Sequence, residues 1–152
     1  KYKTLLIIIF IFVSFQISYG AFVSGTHSGL IYNTWPLYNG NIFPFFENTQ
    51  IGWLINFFEN GEYIIFIHRT FAMLILLILF YLNYLIIMNK IQNKYFSVIV
   101  FFNITFILQI ILGVSMTYLN IPWYLALLHQ GNSILVFLLS FFMYLLSIKS
   151  PQ

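Results

Sequence analysis

Residues 63–88 read YIIFIHRTFAMLILLILFYLNYLIIM, and Arg69 is the only formally charged residue among them. A helix needs about 20 predominantly apolar residues to cross the hydrocarbon core of a bilayer, which is roughly 30 Å thick. This stretch is long enough to do so, and its few polar residues are too sparse to form a solvated face. We interpret it as a transmembrane helix.

Three further apolar runs of similar length cover residues 4–25, 95–119 and 123–148. The chain is 61% hydrophobic and only 6% charged, which is too little charge to solvate a globular surface, so a soluble protein is the weaker interpretation. The first run also follows Lys1 and Lys3 as a signal peptide would, but it exceeds the usual 7 to 15 apolar residues of such a signal. The sequence predicts an all-α integral membrane protein with a bundle of four transmembrane helices.

Charged residues separate cleanly along these four spans. The lysines precede the first span, lie between the second and third, or follow the last: Lys1, Lys3, Lys90, Lys94 and Lys149. The acidic residues all lie in the long loop 26–62: Glu47, Glu59 and Glu62. By the positive-inside rule, we expect both termini on the cytoplasmic or matrix side of a bacterial cytoplasmic or mitochondrial inner membrane, and the loop outside.

The long outer loop is expected to contain a short interfacial helix at residues 51–58 and a turn at Asn39-Gly40.

Several classes of chemistry are excluded by composition. The chain has no cysteine, which excludes disulfides, iron–sulfur clusters and covalent heme attachment. It has no basic cluster of the kind that binds nucleic acid, no glycine-rich phosphate loop and no Ser-His-Asp set.

An internal repeat relates the two halves of the chain. The first span contains Gln16-Ile17 and Gly20-Ala21, and the third contains Gln109-Ile110 and Gly113-Val114, with the same spacing. The second and fourth spans match more loosely around His68 and His129. Although so few matches could arise by chance, they predict two similar helical hairpins related by an axis along the membrane normal. Small residues should let the helices approach closely, namely Gly20, Gly25 and Gly113.

The two histidines of these spans are the clearest candidates for chemistry. Ionisable residues inside a span are costly, and His68 and His129 both lie roughly 8 to 9 Å from the outer ends of their predicted helices. Two imidazoles at one depth on helices related by a twofold axis can ligate heme iron from both sides. Ala72 and Ser133, one turn further along, would leave room for the porphyrin. A zinc site would need three or four ligands, which are not present at this depth.

Alternatives remain for each polar residue here. The histidines can simply hydrogen-bond neighbouring helices, as polar residues in membranes often do, and Gln16 and Gln109 are expected to do so. Arg69 can bind heme propionates or pair with Glu59 or Glu62. His27 lies just past the first span, and we interpret it as an interfacial residue outside the site.

The chain resembles the heme A synthase family, membrane enzymes that oxidise a methyl group of heme O to the formyl group of heme A. The resemblance rests on segments that occur in the family's order and spacing: GAFVSG (20–25), SGLIYNTWPL (28–37), Asn39-Gly40, Pro44, NFFEN (56–60), FIHR (66–69), QIILG (109–113) and LLHQ (127–130). It covers nearly the whole chain, and it matches the carboxy-terminal four-helix half of a longer eight-span protein.

The resemblance implies specific roles. Family members have two four-helix halves, and the carboxy-terminal half holds a heme b cofactor, for which His68 and His129 would be the axial iron ligands. The heme O substrate and the catalytic carboxylate would belong to the other half, which these residues lack. We therefore expect an electron-transfer half that works with an electron acceptor and that has heme O synthase as a further candidate partner. Whether it is a fragment or a split subunit stays open.

Two other functions fit the residues alone. One is a non-enzymatic membrane b-type cytochrome that passes electrons to or from quinone. The other is a structural or assembly subunit without a cofactor, in which the histidines only join helices.

Overall fold

The computed structural model describes residues 2–46, 52–88 and 96–149. Its elements are α1 (Tyr2–Gly25), a 3-10 turn (Ser28–Leu30), α2 (Trp53–Glu59), α3 (Gly61–Met88), α4 (Phe96–Tyr118) and α5 (Trp123–Lys149). Helices α1, α3, α4 and α5 are long and apolar enough to span a membrane. The predicted four-helix membrane fold is confirmed, and each predicted span boundary lies within two residues of the observed one.

Local sequence features explain the start of α3 and the turn in the long loop. The Asn60 side chain accepts a hydrogen bond from the backbone N–H of Glu62 at 3.0 Å, and so it caps the start of α3. The predicted interfacial helix is present as α2, whereas Ile51 lies outside the described residues, as do Lys1, Glu47 and the linker at 89–94 with its two lysines. The predicted turn at Asn39-Gly40 is confirmed, since both residues have positive φ between the paired backbones of Tyr38 and Asn41.

The four long helices pack as two antiparallel hairpins. Helix α1 packs against α3, α4 packs against α5, and α1 packs against α5 to join the hairpins. Among the described residues, α3 and α4 scarcely approach each other, so the twofold relation between the hairpins is only approximate. We call the end of the bundle that carries residues 26–60 the loop end, and the opposite end the terminal end.

The hydrophobic core fills the half of the bundle nearer the terminal end. All four long helices contribute buried side chains to it: Leu6, Ile9, Val13, Ile75, Leu79, Leu82, Ile86, Ile99, Phe102, Phe106, Val136 and Met143. In contrast, no side chain is buried among residues 107–131 of α4, α5 and their connection, which run towards the loop end and back. Towards the loop end, a second and smaller cluster of buried side chains is formed by the loop and α3, namely Tyr32, Tyr38 and Ile65.

Helices α3 and α4 are nevertheless joined by a pair of amides. Asn83 donates to Asn103 at 3.1 Å, and Asn103 donates back to Asn83 at 3.0 Å. Each side chain supplies one donor and one acceptor, so the pair satisfies both polar groups where apolar side chains offer no partner.

We expect Asn83→Leu to destabilise the purified protein by about 1 kcal/mol, because it leaves the Asn103 amide without its partner inside the bundle. The double variant N83L/N103L should recover part of this loss, because no unpaired amide remains. Thermal unfolding in detergent measures both. A double variant less stable than N83L alone would contradict the reciprocal pairing.

Candidate functional site

His68 lies on α3 about 10 Å from the start of the helix at Gly61. Its neighbours come from α1. Nε2 of Gln16 donates to the His68 carbonyl oxygen at 3.0 Å and lies 3.2 and 3.3 Å from the ring atoms Nδ1 and Nε2. Gly20 faces the same imidazole, and a Cβ there would lie only 3.3 Å from its Cε1 atom. Residues four apart share one helix face, so Gln16 and Gly20 contact the ring together.

His129 has the matching surroundings on the second hairpin. It lies on α5 about 9 Å from the start of the helix at Trp123. Nε2 of Gln109 donates to the His129 carbonyl oxygen at 3.0 Å, and a Cβ at Gly113 would lie 3.2 Å from Cε1 of the ring. The two sites therefore place a glutamine and a glycine of one helix against the histidine of the next.

This arrangement gives the internal repeat a physical reason. The glutamines bond across helices as predicted, and the glycines let a histidine ring reach the neighbouring helix without a clash. The prediction for Gly25 is wrong, because among the described residues no atom of a neighbouring helix lies within 4 Å of the position where its Cβ would be. Gly25 is the last residue of α1 and lies beyond the close approach of the hairpin.

The two imidazoles belong to one region of the bundle. They lie at similar depth, about 10 and 9 Å from the starts of α3 and α5. Ala72 and Ser133, one turn further along, are half-buried, and the Ser133 hydroxyl donates within its own helix to the Gln130 carbonyl at 2.6 Å. The role of these small residues in making room for a porphyrin stays a prediction.

Arg69, next to His68, anchors the long loop. Its guanidinium donates to the carbonyl oxygens of Thr34 at 2.9 Å and Tyr32 at 3.1 Å, and it lies over the Tyr38 ring at 5.0 Å from the centroid. Burial raises the pKa of the Tyr38 phenol, although the guanidinium acts to lower it. Arg69 therefore contacts a neutral ring and two carbonyls, and these contacts hold the loop over α3.

Sequence reasoning missed two sets of contacts. The Arg69 partners lie in the loop more than thirty residues away, where no local pattern marks them. The other is Asn132, which donates to Oε1 of Gln109 at 2.7 Å and to the Thr105 carbonyl at 2.9 Å. Its signal was available, because an amide three residues after His129 lies on the same face of a membrane helix and needs a partner.

Comparison with known proteins places this sequence in a family. The model of the COX15-CtaA family, described as cytochrome oxidase assembly protein, matches residues 1–141 and so includes both histidines with their glutamines and glycines. The chain belongs to this family. No solved structure matches it.

Relatives within the family are heme A synthases. The chain is 41% identical over 133 residues to that of Wolbachia pipientis wMel, which covers 86% of this chain and 35% of the relative. It is 39% identical over 132 residues to the Pelagibacter ubique protein, with 86% and 38% covered, and 35% identical over 126 residues to the Rhizobium rhizogenes protein, with 81% and 34% covered. The chain thus spans little more than a third of the length of these relatives.

We expect Arg69→Gln to release the loop, because it removes two charge-assisted hydrogen bonds worth roughly 3 kcal/mol together. Hydrogen exchange of residues 31–46 followed by mass spectrometry should show faster exchange in R69Q. Tyr118→Phe is the matched control, because it removes one neutral hydrogen bond, at 2.7 Å, to the Trp35 carbonyl of the same loop. Exchange in R69Q equal to that of the wild type would contradict the anchoring role.

Proposed function

We propose that this chain forms the electron-transfer part of a heme A synthase and holds a heme b between His68 and His129. The single observation that carries the proposal is the matched setting of the two histidines. Each histidine lies at the same level of a hairpin, with its ring against a glycine and its backbone carbonyl bonded to a glutamine of the neighbouring helix. The relatives are named heme A synthase, which supports the formation of heme A as the reaction.

The residues present fit a heme in three respects. Gly20 and Gly113 lie against the Cε1–Nδ1 edges of the imidazoles, which leaves Nε2 as the ring nitrogen turned away from the glycine. Nδ1 of His129 is buried and has no hydrogen-bond partner among the described residues. Residues 107–131 of α4 and α5, which include the surroundings of His129, also contribute no buried side chain. The turned-away Nε2 atoms would ligate the iron, and the stretch without buried side chains would lie against the macrocycle.

The chain's own residues would orient and shield the cofactor. When bound, heme b supplies a one-electron redox centre. The glutamines fix the backbones that carry the two imidazoles, and the apolar core below them excludes water from the terminal side of the site. Arg69 holds the loop above His68, so the loop covers the site from the other side.

The rest of the reaction requires partners. We propose that oxidation of the heme O methyl group takes place outside these residues, and that electrons leave this half for an external acceptor. Heme O synthase would deliver the substrate. The lysine distribution supports a placement in which both termini face the cytoplasm or matrix and the loop end faces outward.

Replacement of either histidine should abolish bis-imidazole heme binding, because low-spin heme of this type needs both axial nitrogens. We expect H68A and H129A, purified in detergent after expression with excess heme, to lose the reduced-minus-oxidised b-type absorption band or to change it to that of a five-coordinate heme. H27A is the matched control, since His27 is exposed in the loop, and it should keep the wild-type spectrum. A wild-type band that persists in H68A/H129A would refute the ligand assignment.

A second prediction tests the glycines. Gly113→Ala places a methyl group 3.2 Å from Cε1 of His129, so the ring must shift away from its position. We expect heme affinity to fall roughly 10-fold, as it does when groups that orient metal ligands are changed. Gly131→Ala is the control, because no atom lies within 4 Å of a Cβ at this position of α5. Heme titration of the apoprotein measures both, and equal affinities would show that Gly113 does not position His129.

A further inference from the structure

The two histidine sites differ in what their glutamines do. At His68, all hydrogen bonds described for the Gln16 side chain go to this one residue, to its carbonyl and to its ring. At His129, Gln109 donates to the carbonyl in the same way, but its oxygen is held by Asn132 at 2.7 Å. The Gln109 amide is not described as bonding the His129 ring, and Nδ1 of that ring has no hydrogen-bond partner among the described residues.

The distances place the Gln16 amide over the face of the imidazole. Its nitrogen lies at nearly equal distances from Nδ1 and Nε2, 3.2 and 3.3 Å, and these atoms flank Cε1. In the plane of the ring, an atom so placed would collide with Cε1. The amide therefore lies above the ring, where an N–H group meets the π electrons and resists rotation of the imidazole about its Cβ–Cγ bond.

Asn132 explains why the second site lacks this contact. The residue that corresponds to it in α3, three positions after His68, is Phe71, which packs on the rings of Phe12 at 5.4 Å and Phe15 at 4.4 Å. Phe71 offers no hydrogen bond, and Oε1 of Gln16 is buried without a partner among the described residues. Nothing thus draws the Gln16 amide away from His68, whereas Asn132 holds the Gln109 amide.

We propose that Gln16 is a positioning residue that sets the plane of the His68 imidazole, and that Asn132 prevents Gln109 from doing the same at His129. The inference rests on the proposed heme ligation by these two histidines. The two histidines would then hold a heme unequally. The positive end of the Gln16 amide near one ligand also disfavours the oxidised, more positive iron and so raises the reduction potential.

The test compares two identical substitutions at equivalent positions, Gln16→Leu and Gln109→Leu, in the full chain with heme bound. Both remove an amide and its hydrogen bond to a histidine carbonyl, but only Q16L removes a group from an imidazole. Electron paramagnetic resonance of the ferric protein is the first readout, because its g values follow the angle between the two imidazole planes. The midpoint potential is the second. We expect Q16L to shift the largest g value and lower the potential, and Q109L to change neither.

Asn132→Leu provides an independent test that leaves Gln16 intact. Leucine keeps the branching and the number of side-chain heavy atoms, and the substitution frees the Gln109 amide to turn towards the His129 ring. We expect it to shift the g values and to raise the potential, opposite in sign to Q16L. If Q16L fails to retain heme, N132L still decides the question.

The outcomes separate this inference from the proposed function. A wild-type protein with no bis-imidazole heme refutes the proposed function. A wild-type protein with that heme, in which Q16L and Q109L shift the potential equally or N132L has no effect, overturns only the inequality of the two ligands.

Discussion

The interaction on which the site depends is the hydrogen bond from a glutamine of one helix to a histidine carbonyl on the next. Inside an apolar bundle, each polar side chain must find its partner within the protein, because lipid offers none. Gln16 and Gln109 meet this requirement with the backbones of His68 and His129. Each bond fixes the height of one helix against the other, and this height brings a glycine opposite each imidazole.

The same constraint gives the two ends of the bundle different interiors. Near the terminal end, large aliphatic and aromatic side chains from all four helices close the core, which supplies the packing that holds helices together in a membrane. Towards the loop end, polar contacts and glycines take over, and the buried apolar side chains belong to α1, α3 and the loop, whereas residues 107–131 contribute none. Helices α3 and α4 are joined by the Asn83–Asn103 pair, which lies at the level of the terminal-end core, next in sequence to Leu82 and Phe102.

Run length and hydrophobicity were sufficient to predict the four helices, because these two properties fix a membrane span almost alone. The histidine pair and the Gln-to-Gly spacing were also visible, since helical spacing makes such residues share a face. Asn132 was missed because the internal repeat was recognised from residues that are alike in the two hairpins. The position three residues after the histidine is not alike, since it holds Phe71 in α3 and Asn132 in α5. The partners of Arg69 depend on how a long loop folds back, which local sequence does not determine.

The position of Arg69 connects the loop to the histidine site. A guanidinium has five N–H donors, and the carbonyls of Tyr32 and Thr34 use two of its nitrogens, so donors remain for an anionic group nearby. Loop anchoring and propionate binding are therefore compatible roles for one side chain. Because Arg69 directly follows His68 in α3, any shift of the loop acts on the helix turn that carries the proposed iron ligand. The loop is thus fastened to the same turn of α3 that carries His68.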